Sequence, residues 1–259
     1  MRFALGVEYD GSDFSGWESQ PRQRTVQSTL ETALAFVADD PVATVCAGRT
    51  DAGVHALAQV VHFDSQVERA PHEWVLGANS NLPGDVSVRW ANPVAELFHA
   101  RYSAVCRYYR YVIQNRRERS ALLRQRAAWE RSPLEVAAMG AAAEYLVGEQ
   151  DFSSFRAAGC QATSAVRNVV HLEVHRRGDL VFIDIAANAF LQHMVRNVAG
   201  VLIEIGKGKR EPAWAGELIE ACDRTRGAAT APPQGLYLSR IDYPPEHELP
   251  AVSPEWLLW

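Results

Sequence analysis

Ala47-Gly48-Arg49-Thr50-Asp51-Ala52-Gly53-Val54-His55-Ala56 places a carboxylate, a hydroxyl and a guanidinium on three successive residues between two glycines. The segment lies between two β-like runs, residues 43–46 and 57–63. Glycine lifts the steric limit on φ, so such a turn bends sharply and holds short side chains at a sheet edge. A carboxylate held in that way serves as a nucleophile or a base. The same pattern also describes an ordinary hairpin in which Asp51 bonds its own turn, and the loop alone does not choose between the two.

Three other stretches carry reactive or ligand-binding types. In Asn188-Ala-Phe-Leu-Gln-His-Met-Val-Arg-Asn197, Phe190, Met194 and Val198 follow one helical face, with His193, Arg196 and Asn197 beside it. A buried arginine requires a partner carboxylate, and Asp51 is the candidate. Cys106 to Tyr111 alternates as a strand, with Arg107, Tyr109 and Tyr111 on one face and Tyr108 and Arg110 on the other. Rings interleaved with guanidinium groups suit RNA, because rings stack on unpaired bases while arginines hold phosphates; aromatics are also good strand formers. The loop from Tyr9 to Trp17 offers glycines and an expected exposed tryptophan, and Phe98-His99-Ala100-Arg101 and Gln234 to Leu238 are further edges of a site.

The elements that must position these groups read as a doubled plan. Phe3 to Tyr9 is a strand, Gln27 to Ala38 a helix capped by Thr25 or Ser28, Pro71 to Ala78 a helix and Val86 to Trp90 a strand. The second half repeats the order: a strand from Arg107 to Ile113, a helix from Pro133 to Val147, a hairpin of 166–175 with 180–187 around Arg177-Gly178-Asp179, a helix from Phe190 to Ile205, an extra helix from Ala213 to Cys222, and a last strand from Leu236 to Tyr243. The expected fold is α+β, two ferredoxin-like β-α-β-β-α-β halves forming a continuous, mainly antiparallel sheet, with helices packed on one side and a catalytic cleft at the join. The expected domains are residues 1–100, carrying Asp51, residues 101–245, and an acidic tail at 246–259.

Composition narrows the function classes. The chain of 259 residues with 47% hydrophobic content supports a real core. No apolar run approaches the roughly 20 residues that cross a bilayer, so a soluble, cytoplasmic protein without a membrane partner is expected. Cys46, Cys106, Cys160 and Cys222 form no Cys-x-x-Cys pair, and the histidines lack metal-ligand spacing, so no metal is implied. Net charge is -5, yet nine arginines fall between Arg101 and Arg131 against only Glu118 and Glu130. A local field of that kind, more than net charge, attracts phosphates.

Together these segments resemble the TruA family of tRNA pseudouridine synthases. The resemblance runs through Tyr9-Asp-Gly-Ser12 to Gly16-Trp17, Thr25-Val-Gln27, Cys46 to His55, Asn81-Leu-Pro-Gly-Asp85, Phe98 to Arg101, Arg107 to Tyr111, Asp151-Phe-Ser-Ser-Phe155, Asn188 to Asn197 and Gly235-Leu-Tyr-Leu238, in the family's order and over nearly the whole chain. It implies a cofactor-free isomerase that turns uridine into pseudouridine at positions 38 to 40 of the tRNA anticodon arm and works as a homodimer. By motif, Asp51 matches the catalytic aspartate, Tyr109 the active-site tyrosine and Arg196 the arginine that pairs with the aspartate. Arg49 matches the residue tied to base flipping, and Leu236 the hydrophobic residue beneath the uracil. Phe190 and His193 are expected substrate contacts, and Arg101, Arg107, Arg110 and Trp17 are expected RNA contacts. Glu18 stands where the family often carries glutamine. The alternative reading is a non-catalytic RNA-binding protein that uses the arginine-rich face.

Overall fold

A computed structural model describes residues 1–250. The chain is α+β and its described residues divide into two compact units, Met1–Arg107 with residues 237–250, and Tyr108–Leu236.

In the first unit β1 (Arg2–Tyr9), α1 (Val26–Ala38), β2 (Val45–Cys46), β3 (His55–Asp64), α2 (Pro71–Asn81) and β4 (Val86–Val94) follow one another. Strand β1 is central, antiparallel to β3 with Leu5 opposite Val61 and to β4 with Leu5 opposite Ala91. Both of its faces are buried. On one, Phe3 and Phe63 meet the α2 residue Trp74 at ring distances of 5.5 and 4.9 Å. On the other, Ala4 and Val60 pack with Ala47, Phe98 and Ala100. The helices start as their sequences dictate. Thr25 Oγ1 accepts the Ser28 N–H at the head of α1, and Pro71 opens α2, where a missing N–H costs nothing. The register of β1 slips against β3 between Val7 and Tyr9, a bulge of the kind that re-aims a side chain.

The second unit contains most of β5 (Cys106–Asn115), then β6 (Ala128–Glu130), α3 (Val136–Glu144), β7 (Gly148–Asp151), β8 (Val166–Arg177), β9 (Leu180–Ala187), α4 (Met194–Gly206) and α5 (Trp214–Ala221). Its strands lie in the order β5-β9-β8-β7, with β6 parallel to β5. The expected hairpin forms, with Arg177 opposite Leu180 and Gly178 at φ +59. Strand β10 (Leu236–Asp242) then brings the chain back to the first unit, where Tyr237 pairs with His55 of β3 in parallel.

Two helices begin later than their periodicity predicts. The stretch before α3 has its amide groups claimed elsewhere: Leu134 N–H donates to Asn115 Oδ1 and Glu135 N–H to the Gly206 carbonyl. Helix α4 starts at Met194 because His193 sits at φ +62, in the left-handed region that breaks a helical run. Of the expected acidic tail, residues 251–259 lie outside the described residues. Before them, His247 packs edge-on against Phe98 at 5.0 Å.

Candidate active site

The Asp51 loop is fixed by its neighbours within the first unit. Gln59, fully buried on β3, binds the peptide of Gly48 from both sides, its Nε2 donating to the Gly48 carbonyl at 2.6 Å and its Oε1 accepting the Gly48 N–H at 3.4 Å. Arg107 adds Nη2 to the Ala47 carbonyl at 3.1 Å. The Tyr9 and Thr50 hydroxyls share a buried hydrogen bond of 2.7 Å. The far side of the loop closes on the segment from Gly11 to Trp17: Gly53 N–H donates to the Phe14 carbonyl and Trp17 N–H to the Thr50 carbonyl. Val54 N–H donates to the carbonyl of Asp51 itself, at 3.1 Å. Gly16 has φ +97, and a Cβ on it would lie 2.8 Å from the Thr50 carbonyl oxygen, so glycine is needed for both conformation and approach.

These contacts hold the backbone; of the loop's two charged residues, Asp51 is half-buried and Arg49 exposed. Arg49 Nε meets Glu18 Oε2 at 2.5 Å. Cys46, the nearest thiol in sequence, is buried, and burial pushes its pKa up to about 12. His55, opening β3, accepts the Gly11 N–H on Nδ1 and stacks on Tyr237 at 4.7 Å, which ties the end of the loop to β10.

In the second unit, Tyr109 of β5 and Phe190 meet edge to face with centroids 5.1 Å apart, so the structure brings two of the expected site residues together. Arg196 and Ala231 exchange bonds: Nε donates to the Ala231 carbonyl at 2.8 Å and Ala231 N–H to the Arg196 carbonyl at 3.1 Å. Next along, the Pro232 carbonyl accepts the hydroxyl of Tyr111, whose pKa is driven well above its ordinary value by burial, partly opposed by the charge of Arg196. The segment before β10 is therefore sewn to α4 and β5. Leu236 ends it in a buried position, and Gly235 admits it, since a Cβ there would lie 2.6 Å from the Val112 carbonyl oxygen. His193 is half-buried at the left-handed turn that starts α4.

The expected RNA contacts divide. Arg101 is exposed, its guanidinium 5.7 Å from the ring of Tyr102. Arg107 is buried and donates to the carbonyls of Ala47, Arg101 and Ala104. Arg110 forms a two-pronged pair with Asp184 at 2.6 and 2.8 Å and lies over Phe182. Trp17, expected at the surface, is 1% exposed, because its ring packs on Tyr9 and its backbone is bonded to Thr50 and Gln27.

Sequence reasoning passed over Gln59 and the roles of Thr50 and Asn197. Asn197 is buried on α4, donates to the Phe155 carbonyl at 2.7 Å and accepts from Thr230 and Arg224. A polar residue on an otherwise apolar helix face was the signal for it, since a buried amide must find partners. Among the described residues no group of three metal-ligating side chains comes together, and no helix is long and apolar enough to cross a membrane.

A family model described as tRNA pseudouridine synthase matches residues 6–103 and 142–244. The tRNA pseudouridine synthase A of Nitrosococcus oceani is 58% identical over 259 residues, covering 100% of both chains. That of Methylococcus capsulatus is 55% identical over 249 residues, covering 96% of this chain and 92% of the other. That of Coxiella burnetii is 53% identical over 251 residues, covering 97% and 96%.

Proposed function

Because the chain belongs to the tRNA pseudouridine synthase family, whose members isomerise uridine to pseudouridine in tRNA, we propose that it acts on the uridines at positions 38, 39 and 40 of the anticodon arm, with Asp51 as its nucleophile. The observation that carries the assignment of Asp51 is the loop itself: its backbone is bound through Gly48, Thr50 and Gly53, while the carboxylate-bearing residue stays half-buried. A carboxylate carried on a backbone held in place is what covalent catalysis requires.

The reaction breaks the N1–C1′ bond, turns the base and joins C5 to C1′. N1 gains a proton and C5 loses one, so redox state and composition are unchanged. A uracil in a stacked arm must first leave the stack, at a cost of a few kcal/mol. Arg49, exposed beside Asp51, is the group proposed to fill or brace the vacated space. Asp51 acts by attack at C1′ or C6 or by taking the C2′ proton, with Arg196 as its proposed cationic counterpart. Tyr109, backed by Phe190, stacks on the uracil and helps remove the C5 proton; Leu236 and His193 complete the base contacts. Arg101 meets phosphate, while Arg107, Arg110 and Trp17 serve RNA binding through the backbone and the sheet they support.

The element order of each unit supports the ferredoxin-like plan. In the first, β1 runs between β3 and β4 with α1 and α2 as crossovers. In the second, β5, α3, the β8–β9 hairpin and α4 follow the same course. A homodimer in the cytoplasm completes the proposal. Mapping pseudouridine in tRNA from cells lacking the protein tests the target: loss confined to positions 38 to 40 agrees with it, and retention there contradicts it.

A further inference from the structure

Glu18 and Arg49 form an ion pair at the mouth of the catalytic loop, with Nε 2.5 Å from Oε2 and side chains 58% (Arg49) and 45% (Glu18) exposed. Neither end is loose. Just before Glu18, Trp17 is buried, donates its N–H to the Thr50 carbonyl and accepts the Gln27 N–H. Just after it, Ser19 N–H donates to Gln27 Oε1 at 3.0 Å, and the Glu18 carbonyl itself accepts from Gln20 Nε2 at 3.5 Å. Arg49 follows Gly48, whose peptide is held on both sides by Gln59. Two held backbones therefore present opposite charges to each other, and the Glu18 carboxylate occupies the guanidinium of Arg49.

From this geometry we infer that Glu18 is a positioning residue that holds Arg49 in the RNA-free enzyme and is exchanged for the nucleic acid when the arm docks. The inference rests on the proposed role of Arg49 in base flipping. Exchange replaces one charge-assisted contact by another, so Arg49 enters the RNA from a defined place and does not close on an adventitious anion. The cost is a weaker encounter, because the pair must open and a carboxylate is left close to phosphate. An exposed pair of this kind is worth about a two- to fivefold factor in an equilibrium constant. The pair opens on docking, before chemistry, so the factor falls on KM rather than kcat.

Four forms of the full-length enzyme test this: wild type, Glu18→Gln, Arg49→Met and the double variant, each assayed for tRNA binding and for steady-state pseudouridine formation. Glutamine keeps the shape of Glu18 and removes its charge. The expected result is a KM and Kd about two- to fivefold lower for Glu18→Gln, with no such gain when Arg49 is already Met. Weaker binding by Glu18→Gln overturns the inference, as does an equal gain in the Arg49→Met background, which marks general charge repulsion. Impaired turnover in Arg49→Met with Glu18→Gln unchanged overturns the holding role alone. Wild-type turnover in Arg49→Met overturns the base-flipping assignment and the inference with it.

Discussion

Tyr9 and Thr50, 41 residues apart, share a hydrogen bond of 2.7 Å in a fully buried setting, one residue before Asp51. Tyr9 reaches that position past the bulge at the end of β1, so the strand at the centre of the first sheet holds the Asp51 loop directly. Tyr9→Phe removes the hydroxyl from Thr50 and from Gln59 Nε2 at 3.5 Å. Stability should fall by about 1–2 kcal/mol, with kcat reduced more than tRNA affinity; urea midpoints and steady-state kinetics measure both. Unchanged kcat would show that the loop does not depend on this bond.

Gly11 is a second brace. A Cβ on it would lie 1.9 Å from the Val54 carbonyl oxygen, backbone that has nowhere to go. Gly11→Ala should cost about 3 kcal/mol and most of the activity. Gly140→Ala is the matched control: it lies within α3 with nothing within 4 Å of an added methyl, and it should stabilise by about 0.5–1 kcal/mol. Thermal melts of the two variants, moving in opposite directions, check the pair.

Arg101 and Arg110 should separate in a salt titration. Arg110 is committed to Asp184, whereas Arg101 is exposed. Arg101→Ala is expected to reduce the slope of log affinity against log salt by about 1, and Arg110→Ala to leave the slope while lowering stability by about 1 kcal/mol. A slope change with Arg110→Ala would assign it to phosphate.

Acid should weaken the first unit in two stages. His62 Nδ1 accepts the Ala100 N–H at 3.1 Å, and burial, with the charges of Arg2 and His99, holds its pKa down at about 4, Asp64 opposing. The unfolded chain takes up that proton near the ordinary value of 6.5, so this stabilisation is present above 6.5 and is lost as pH falls toward 4. Asp64, bound by Arg2, is depressed below 3.8 and contributes stability that disappears only below that value. His62→Asn keeps an acceptor and cannot titrate. Its melting temperature should be flatter than wild type between pH 6.5 and 4.5, and an equal slope would show that another group carries the dependence.

Much of this was legible in the residues. The long strands, the hairpin at Gly178 and the order of motifs follow from periodicity and glycine placement. Strands β6 and β7 were not, because Ala128–Glu130 and Gly148–Asp151 are too short to show a period and take their form from partners. The burial of Trp17, expected at the surface, and of Arg107 was hidden for a related reason: local sequence marks a loop and a basic strand, while burial is set by residues up to 60 positions away, as in the bond from Arg107 to Ala47. The glycine-bracketed turn that carries Asp51 was readable; its bracing by Tyr9, Thr50 and Gln59 was not, since the hydroxyls and the amide sit on different strands and loops.

The central claim, that Asp51 performs the chemistry, is tested most directly by tritium release from tRNA labelled at uracil C5, because rejoining through C5 expels that hydrogen. Asp51→Asn should lower the release rate by about four orders of magnitude while the melting temperature and tRNA affinity stay near wild type. Release at the wild-type rate would contradict the account.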